Sequence, residues 1–166
     1  MPRTRGTART GGGYRRILWP TDFSRLASAA LPHSARLAGA GRAELVVLHV
    51  LSPPAILPVP DLSGAVWTRV LDESRAAAQR RIMQLTGQIR RRLPGMRVQG
   101  ILAEGQPEIE IVRAARRLRC DAILLATHGR TGLAHILIGS VAERVLRMAP
   151  CPVLVVRHPS MRSKRA

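Results

Sequence analysis

Two short segments of this chain carry residue types suited to holding phosphate. One begins Thr127-His128-Gly129-Arg130-Thr131-Gly132 and ends Gly139-Ser140-Val141. Gly129 and Gly139 let backbone N–H groups approach an anion with no Cβ in the way. A helix opened at Ser140 would aim its free N–H groups at the same point, and Arg130 can add a full charge. The other segment is Pro20-Thr21-Asp22-Phe23-Ser24. A carboxylate there can accept ribose hydroxyls, or hold a divalent cation that bridges to phosphate. Each segment also has a plainer explanation. The first can be a glycine-rich connection before an ordinary capped helix, and Asp22 can be a turn acid favoured by a helix dipole. The residues alone leave both open. The pattern GxxxxGK[ST] is absent, and no GxGxxG follows the first apolar run, so neither common nucleotide fingerprint is present. No nucleophile–base–orienter set is visible either. The expectation is therefore a binding protein with at most weak hydrolysis.

Both segments follow short apolar runs, and the rest of the chain alternates in the same way. Arg16 to Trp19 reads as a strand stopped by Pro20. Ser24 caps a helix carrying Ala27, Leu31, Ala35 and Ala38 on one face and ending near Gly39 and Gly41. Leu45 to Val50 is a continuous apolar strand, as in a sheet buried on both faces, and His49 near its end suits a structural hydrogen bond. Residues 52–63 are proline-rich loop. A long helix, Gly64 to Leu93, stripes Ile82, Leu85, Ile89 and Leu93 inward. Its Arg80, Arg81, Arg90, Arg91 and Arg92 form a solvated face. Arg97 to Ala103 is a third strand. Pro107, with Glu108 and Glu110, starts the next helix. Asp121 to Ala126 is a fourth strand. Ser140 and Glu143 have capping-box spacing, and Pro152 to Val156 is a fifth strand. This alternation implies a parallel sheet with helices on both faces. Ligands of such sheets bind beyond the strand carboxyl ends, which here means after Trp19, Val50 and Ala126.

The charge is strongly positive, +17, with 26 arginines and a single lysine, Lys164. Nine of these charges lie in residues 1–16 and 157–166, which hold no acid. Residues 1–13 and 158–166 are expected to be disordered basic tails, flanking one domain over 14–157. Only Tyr14, Trp19, Phe23 and Trp67 are aromatic, and none is interleaved with the basic runs as a base-stacking surface requires. Specific nucleic-acid recognition is not expected. Cys120 and Cys151 have neither disulfide-framework nor zinc spacing, and they suit reduced thiols in a cytoplasmic protein. No apolar run approaches a membrane span.

The chain resembles the universal stress protein family over about Tyr14 to Val156. The residues that carry the resemblance are Ile17 to Ser24, Leu48-His49-Val50, Thr127 to Val141 and Pro150 to Val156. The resemblance implies a five-stranded parallel sheet in the order 3-2-1-4-5, Rossmann-like and of the adenine nucleotide alpha hydrolase-like kind. The ATP-binding branch of that family has the loop pattern G-x2-G-x9-G-[ST]. Here the aligned residues are Ala126, Gly129, Gly139 and Ser140, with the spacing intact. By resemblance, backbone around Ala126, Gly129 and Gly139 holds the phosphates of ATP, AMP or ADP, and Ser140 and Val141 donate to them. Asp22 sits at the ribose or at a Mg ion, while Thr21 and Val50 frame the adenine. Pro20, Leu125, His128 and Arg130, neighbours of these residues in sequence, complete the candidate site; His128 can touch phosphate or orient the loop. Ala126 departs from the family glycine: a negative φ there makes one methyl tolerable, whereas a positive φ costs roughly 1 kcal/mol or more. The resemblance also implies a homodimer through Pro152–Val156 that serves stress response or signalling with an unidentified protein partner. The alternatives are a stress dimer that no longer binds nucleotide and a slow Mg-dependent ATPase.

Overall fold

The computed structural model describes residues 13–39, 43–52, 64–126 and 138–156. Five parallel strands form one sheet: β1 (Arg16–Pro20), β2 (Glu44–Leu51), β3 (Arg97–Glu104), β4 (Ala122–Ala126) and β5 (Val153–Val156). Their spatial order is β3-β2-β1-β4-β5, as the resemblance implied. The described helices are α1 (Arg25–Ser28), α2 (Leu31–Ala38), α3 (Gly64–Arg92), α4 (Pro107–Arg117) and α5 (Ser140–Met148). None of them is long and apolar enough to cross a membrane.

Successive strand residues point to opposite faces, so the continuous apolar runs feed two cores. Ile17, Trp19, Leu45, Val47 and Leu124 meet Ala30, Ala38 and Ile89 on the α2–α3 side. Leu18, Val46, Leu48, Ile123 and Leu125 meet Ile111, Ala114 and Ala115 of α4 and Ala142 and Val145 of α5. Helices thus cover both faces, and α3 lies close. A Cβ on Gly100 of β3 would stand 2.3 Å from the Ile82 Cγ2 methyl, so glycine lets the long helix settle on the edge of the sheet.

Three local expectations need correction. The first helix is two. Ser24 does cap α1, its Oγ accepting from Ala27 N at 3.0 Å. Pro32, however, has no N–H for the Ser28 carbonyl, and the chain breaks and restarts as α2. The break changes the buried face to Ala27, Ala30, Ser34 and Ala38, and leaves Ala35 exposed. Second, Ser140 is not a cap. Glu143 N donates to Gly139 O at 2.9 Å, which makes Gly139 the cap residue and Ser140 the first helical position. Glu143 turns instead to Arg147, at 2.7 Å. Third, β1 includes Pro20, and β2 and β3 each run through one further residue, Leu51 and Glu104.

One buried polar contact joins the two helices of the second face. Glu108, in the first turn of α4, is only 6% exposed and pairs with Arg144 of α5. A backbone N–H at its own position, and then the Arg144 guanidinium, hold its carboxyl below the usual carboxylate range.

Candidate functional site

The strand order reverses between β1 and β4, the place where an open α/β sheet leaves a crevice. Their pairing is brief: Ile17 faces Ala122, Leu18 faces Ile123, and the ladder stops. The reason is Pro20. Thr21 N donates to Leu48 O of β2 at 2.8 Å, while Arg16 O accepts from Asp121 N, just before β4, at 3.0 Å. Backbone donors alternate along a strand, so position 20 faces β4, and a proline has no hydrogen to give there. Continuing the register sets Thr21 opposite Ala126 across the gap.

On the β1 side the turn is tightly specified. Thr21 is buried; its Oγ1 accepts from Phe23 N at 3.0 Å. Its carbonyl accepts from His49 Nδ1 at 2.7 Å, the structural bond expected of that histidine. Asp22 Oδ1 accepts from Ser24 N at 2.9 Å, so the carboxylate is partly engaged as a turn acid and half-buried. Val50 is half-buried at the end of β2, paired with Ala103.

Sequence reasoning missed Phe23 and Arg81. Phe23 has φ 63, a left-handed conformation that costs a non-glycine residue roughly 1 kcal/mol or more. Its ring lies 4.2 Å from that of His49, and the Arg81 guanidinium sits over the same ring, 4.6 Å from its centroid. Arg81 is exposed yet is not merely solvated: it holds the turn that carries Asp22. A positive φ at phenylalanine has no signal in the sequence. An arginine on an outward stripe looks the same whether or not a ring lies beneath it.

On the β4 side, Leu125 is buried beside Val155 and Ala126 is half-buried beside Val156. Among the described non-glycine residues only Phe23 and Arg119 have positive φ. Ala126 therefore carries no left-handed strain, and its methyl costs the backbone nothing. His128, Gly129 and Arg130 lie outside the described residues. Gly139, φ −68 and ψ 151, has an extended conformation open to any residue, so glycine is not required there by dihedral angle. The N–H groups of Ser140, Val141 and Ala142 precede the first intrahelical acceptor bond, and among the described residues no side chain caps them. Ala142 and Val145 of α5 share a core cluster with Leu125 at the end of β4. Among the described residues no three His, Cys, Asp or Glu side chains gather as a metal cluster.

Residues 13–157 match the family model described as the universal stress protein family. Universal stress protein MJ0531 of Methanocaldococcus jannaschii is 33% identical over 147 residues, covering 88% of this chain and 84% of that protein. The solved structure of universal stress protein UspA from Lactobacillus plantarum superposes with a TM-score of 0.74 at 27% identity, covering 88% and 99% of the two chains. More distant structures share the fold alone. One is a universal stress protein in complex with cAMP (TM-score 0.54, 21% identity, covering 87% and 98%). Another is an Arabidopsis thaliana family member with AMP bound (TM-score 0.57, 15% identity, covering 87% and 92%).

Proposed function

This chain belongs to the universal stress protein family, and from that premise we propose that it binds an adenine nucleotide, ATP or its AMP and ADP relatives, in the crevice between β1 and β4. The observation that carries this is the pairing of an opened ladder with free donors. Pro20 ends the β1–β4 contact, and the uncapped start of α5 supplies N–H groups and a positive dipole end to the same edge. Backbone at Ala126, Gly129 and Gly139, with Ser140 and Val141, would hold the phosphates, with His128 and Arg130 beside them. Asp22 would meet the ribose, or a Mg ion on phosphate, through the oxygen not used by Ser24. Pro20, Thr21, Val50 and Leu125 would frame the adenine. The family members solved with cAMP and with AMP support the reading. In this reading the nucleotide acts as a signal that sets assembly or partner choice.

Purified protein is denatured, and its extract is analysed for adenine nucleotide, alongside calorimetric titration with Mg-ATP. Bound nucleotide or a saturable titration is expected. An empty extract with a flat titration would sink the proposal. Gly139→Val should abolish binding and leave the melting temperature within a few degrees, since its φ suits valine and the added side chain intrudes on the phosphates. Retained affinity would count against the site.

The same chain is proposed to pair with a second copy through β5. Among the described residues that strand has a neighbour on one side only, and it exposes Leu154 to 38%. An uncovered apolar edge strand invites pairing.

A further inference from the structure

Beyond nucleotide binding, we infer that the end of the molecule opposite the crevice is a docking surface for the phosphate backbone of duplex nucleic acid, independent of base sequence. In this topology the helices end where the strands begin. Arg36 lies in the last turn of α2, Arg91 and Arg92 close α3, and Arg116 and Arg117 close α4. Between the helix layers, Arg15 precedes β1 and Arg97 opens β3. The register places Arg16, Glu44 and Arg97 side by side, so the two arginine-bearing strand ends are two strand spacings, roughly 10 Å, apart. All these arginines except Arg16 are exposed.

What makes the surface distinctive is the absence of acid to neutralise it. Of the chain's ten carboxylates, the described residues place two at this end. Glu44 is taken by Arg16 at 2.7 Å. Asp121 is taken by the backbone N–H groups of Arg15 and Arg16, both at 2.9 Å. The other described acids follow β1, end β3, sit in the first turns of α4 and α5, or lie in the first half of α3. None of Arg36, Arg91, Arg92, Arg97, Arg116 or Arg117 has a carboxylate partner among the described residues. Arginines at helix ends also complement the dipole, but that effect does not extend to Arg15 and Arg97 at strand starts.

The chemistry favours phosphate over a lipid surface or an acidic protein. Guanidinium forks match phosphate oxygens in pairs. The last turns of α2, α3 and α4 and the starts of β1 and β3, which carry these arginines, hold none of the exposed large apolar side chains that a membrane-seated face inserts; on α3 and α4 those lie further up, at Val66, Val70, Met83 and Ile109. These segments offer no exposed aromatic for stacking on bases, since Tyr14 packs against the core, and the exposed amides near them, Gln88 and Gln99, are few beside the arginines. Phosphate contacts alone give binding without sequence preference.

The test is fluorescence anisotropy of full-length protein with a labelled, mixed-sequence 20-base-pair DNA duplex across a salt series. Binding that weakens steeply with salt is expected. Arg91→Gln/Arg92→Gln/Arg97→Gln and Arg36→Gln/Arg116→Gln/Arg117→Gln should each weaken it about tenfold, flattening the log–log salt slope by roughly 0.9 for every phosphate no longer neutralised. A charge-matched control away from this end, Arg69→Gln/Arg80→Gln/Arg113→Gln, should change affinity less than threefold. Melting temperatures check that all variants fold. Three outcomes each overturn the inference: no salt-dependent binding by the wild type, an equal loss in the control, or tighter binding to phosphatidylserine vesicles than to duplex.

Discussion

Single residues decide the chemistry here by what surrounds them. Cys120 and Cys151 are both free, and burial, the leading cause, pushes their thiols up to about 12 and about 11. The thiolate is the reactive form, so a rise of two units or more suppresses it about a hundredfold. Native protein at pH 8 should react with a thiol-specific disulfide reagent about a hundredfold more slowly than protein in guanidinium, and about tenfold faster for each unit of rising pH. Equal native and denatured rates would show that the thiols are open. The places of Asp22 and Ala126 at or just after the ends of strands, and of Ser140 at the start of a helix, are legible in the sequence because apolar runs and spacing suffice to set them. Their surroundings are not. The φ at Phe23 and the harmless methyl of Ala126 depend on dihedral angles, and the Arg81 guanidinium reaches Phe23 from a distant helix.

At the scale of elements, the strands and long helices are legible because apolar runs and helical stripes state burial directly. Boundaries fail where one backbone group rules. Pro32 splits a helix that its stripe alone would continue, and a hydrogen bond to Gly139 O shifts α5 by one position. The pairing of α4 with α5 is not legible, since Glu108 reads as a dipole acid and Arg144 as one arginine among many. That pair fixes where α5 stands, and with it the donors at the crevice. The Glu108 carboxyl is depressed in the fold, so its stabilisation is present above the ordinary carboxylate value, about 4.3. It is lost as pH falls through the lower folded value. Arg144→Gln should cost on the order of 1 kcal/mol at pH 7, where it leaves a buried acceptor short of a partner. The difference in melting temperature from wild type should shrink toward pH 3. A difference that holds constant across that range would mean that the pair's charge is irrelevant.

For the whole molecule, the doubly wound topology sends strand ends and helix starts to one end and helix ends to the other. One sheet therefore has the proposed nucleotide site at one end and, among the described residues, unneutralised arginines at the other. The proposed dimer lies at neither end but at a side edge, so both ends stay available in it. Leu154→Arg should convert the dimer to monomer in sedimentation velocity without unfolding it. A variant that still sediments as a dimer would place the interface elsewhere. The proline at the end of β1 has a last consequence. Its ring keeps two neighbouring strands from zipping together. Pro20→Ala would restore one amide hydrogen facing β4, which hydrogen exchange should report as newly protected. Nucleotide affinity should fall about tenfold while the melting temperature does not fall. The early end of the β1–β4 ladder is in that sense a missing stitch in the central seam, set by a covalent ring that repacking elsewhere leaves untouched.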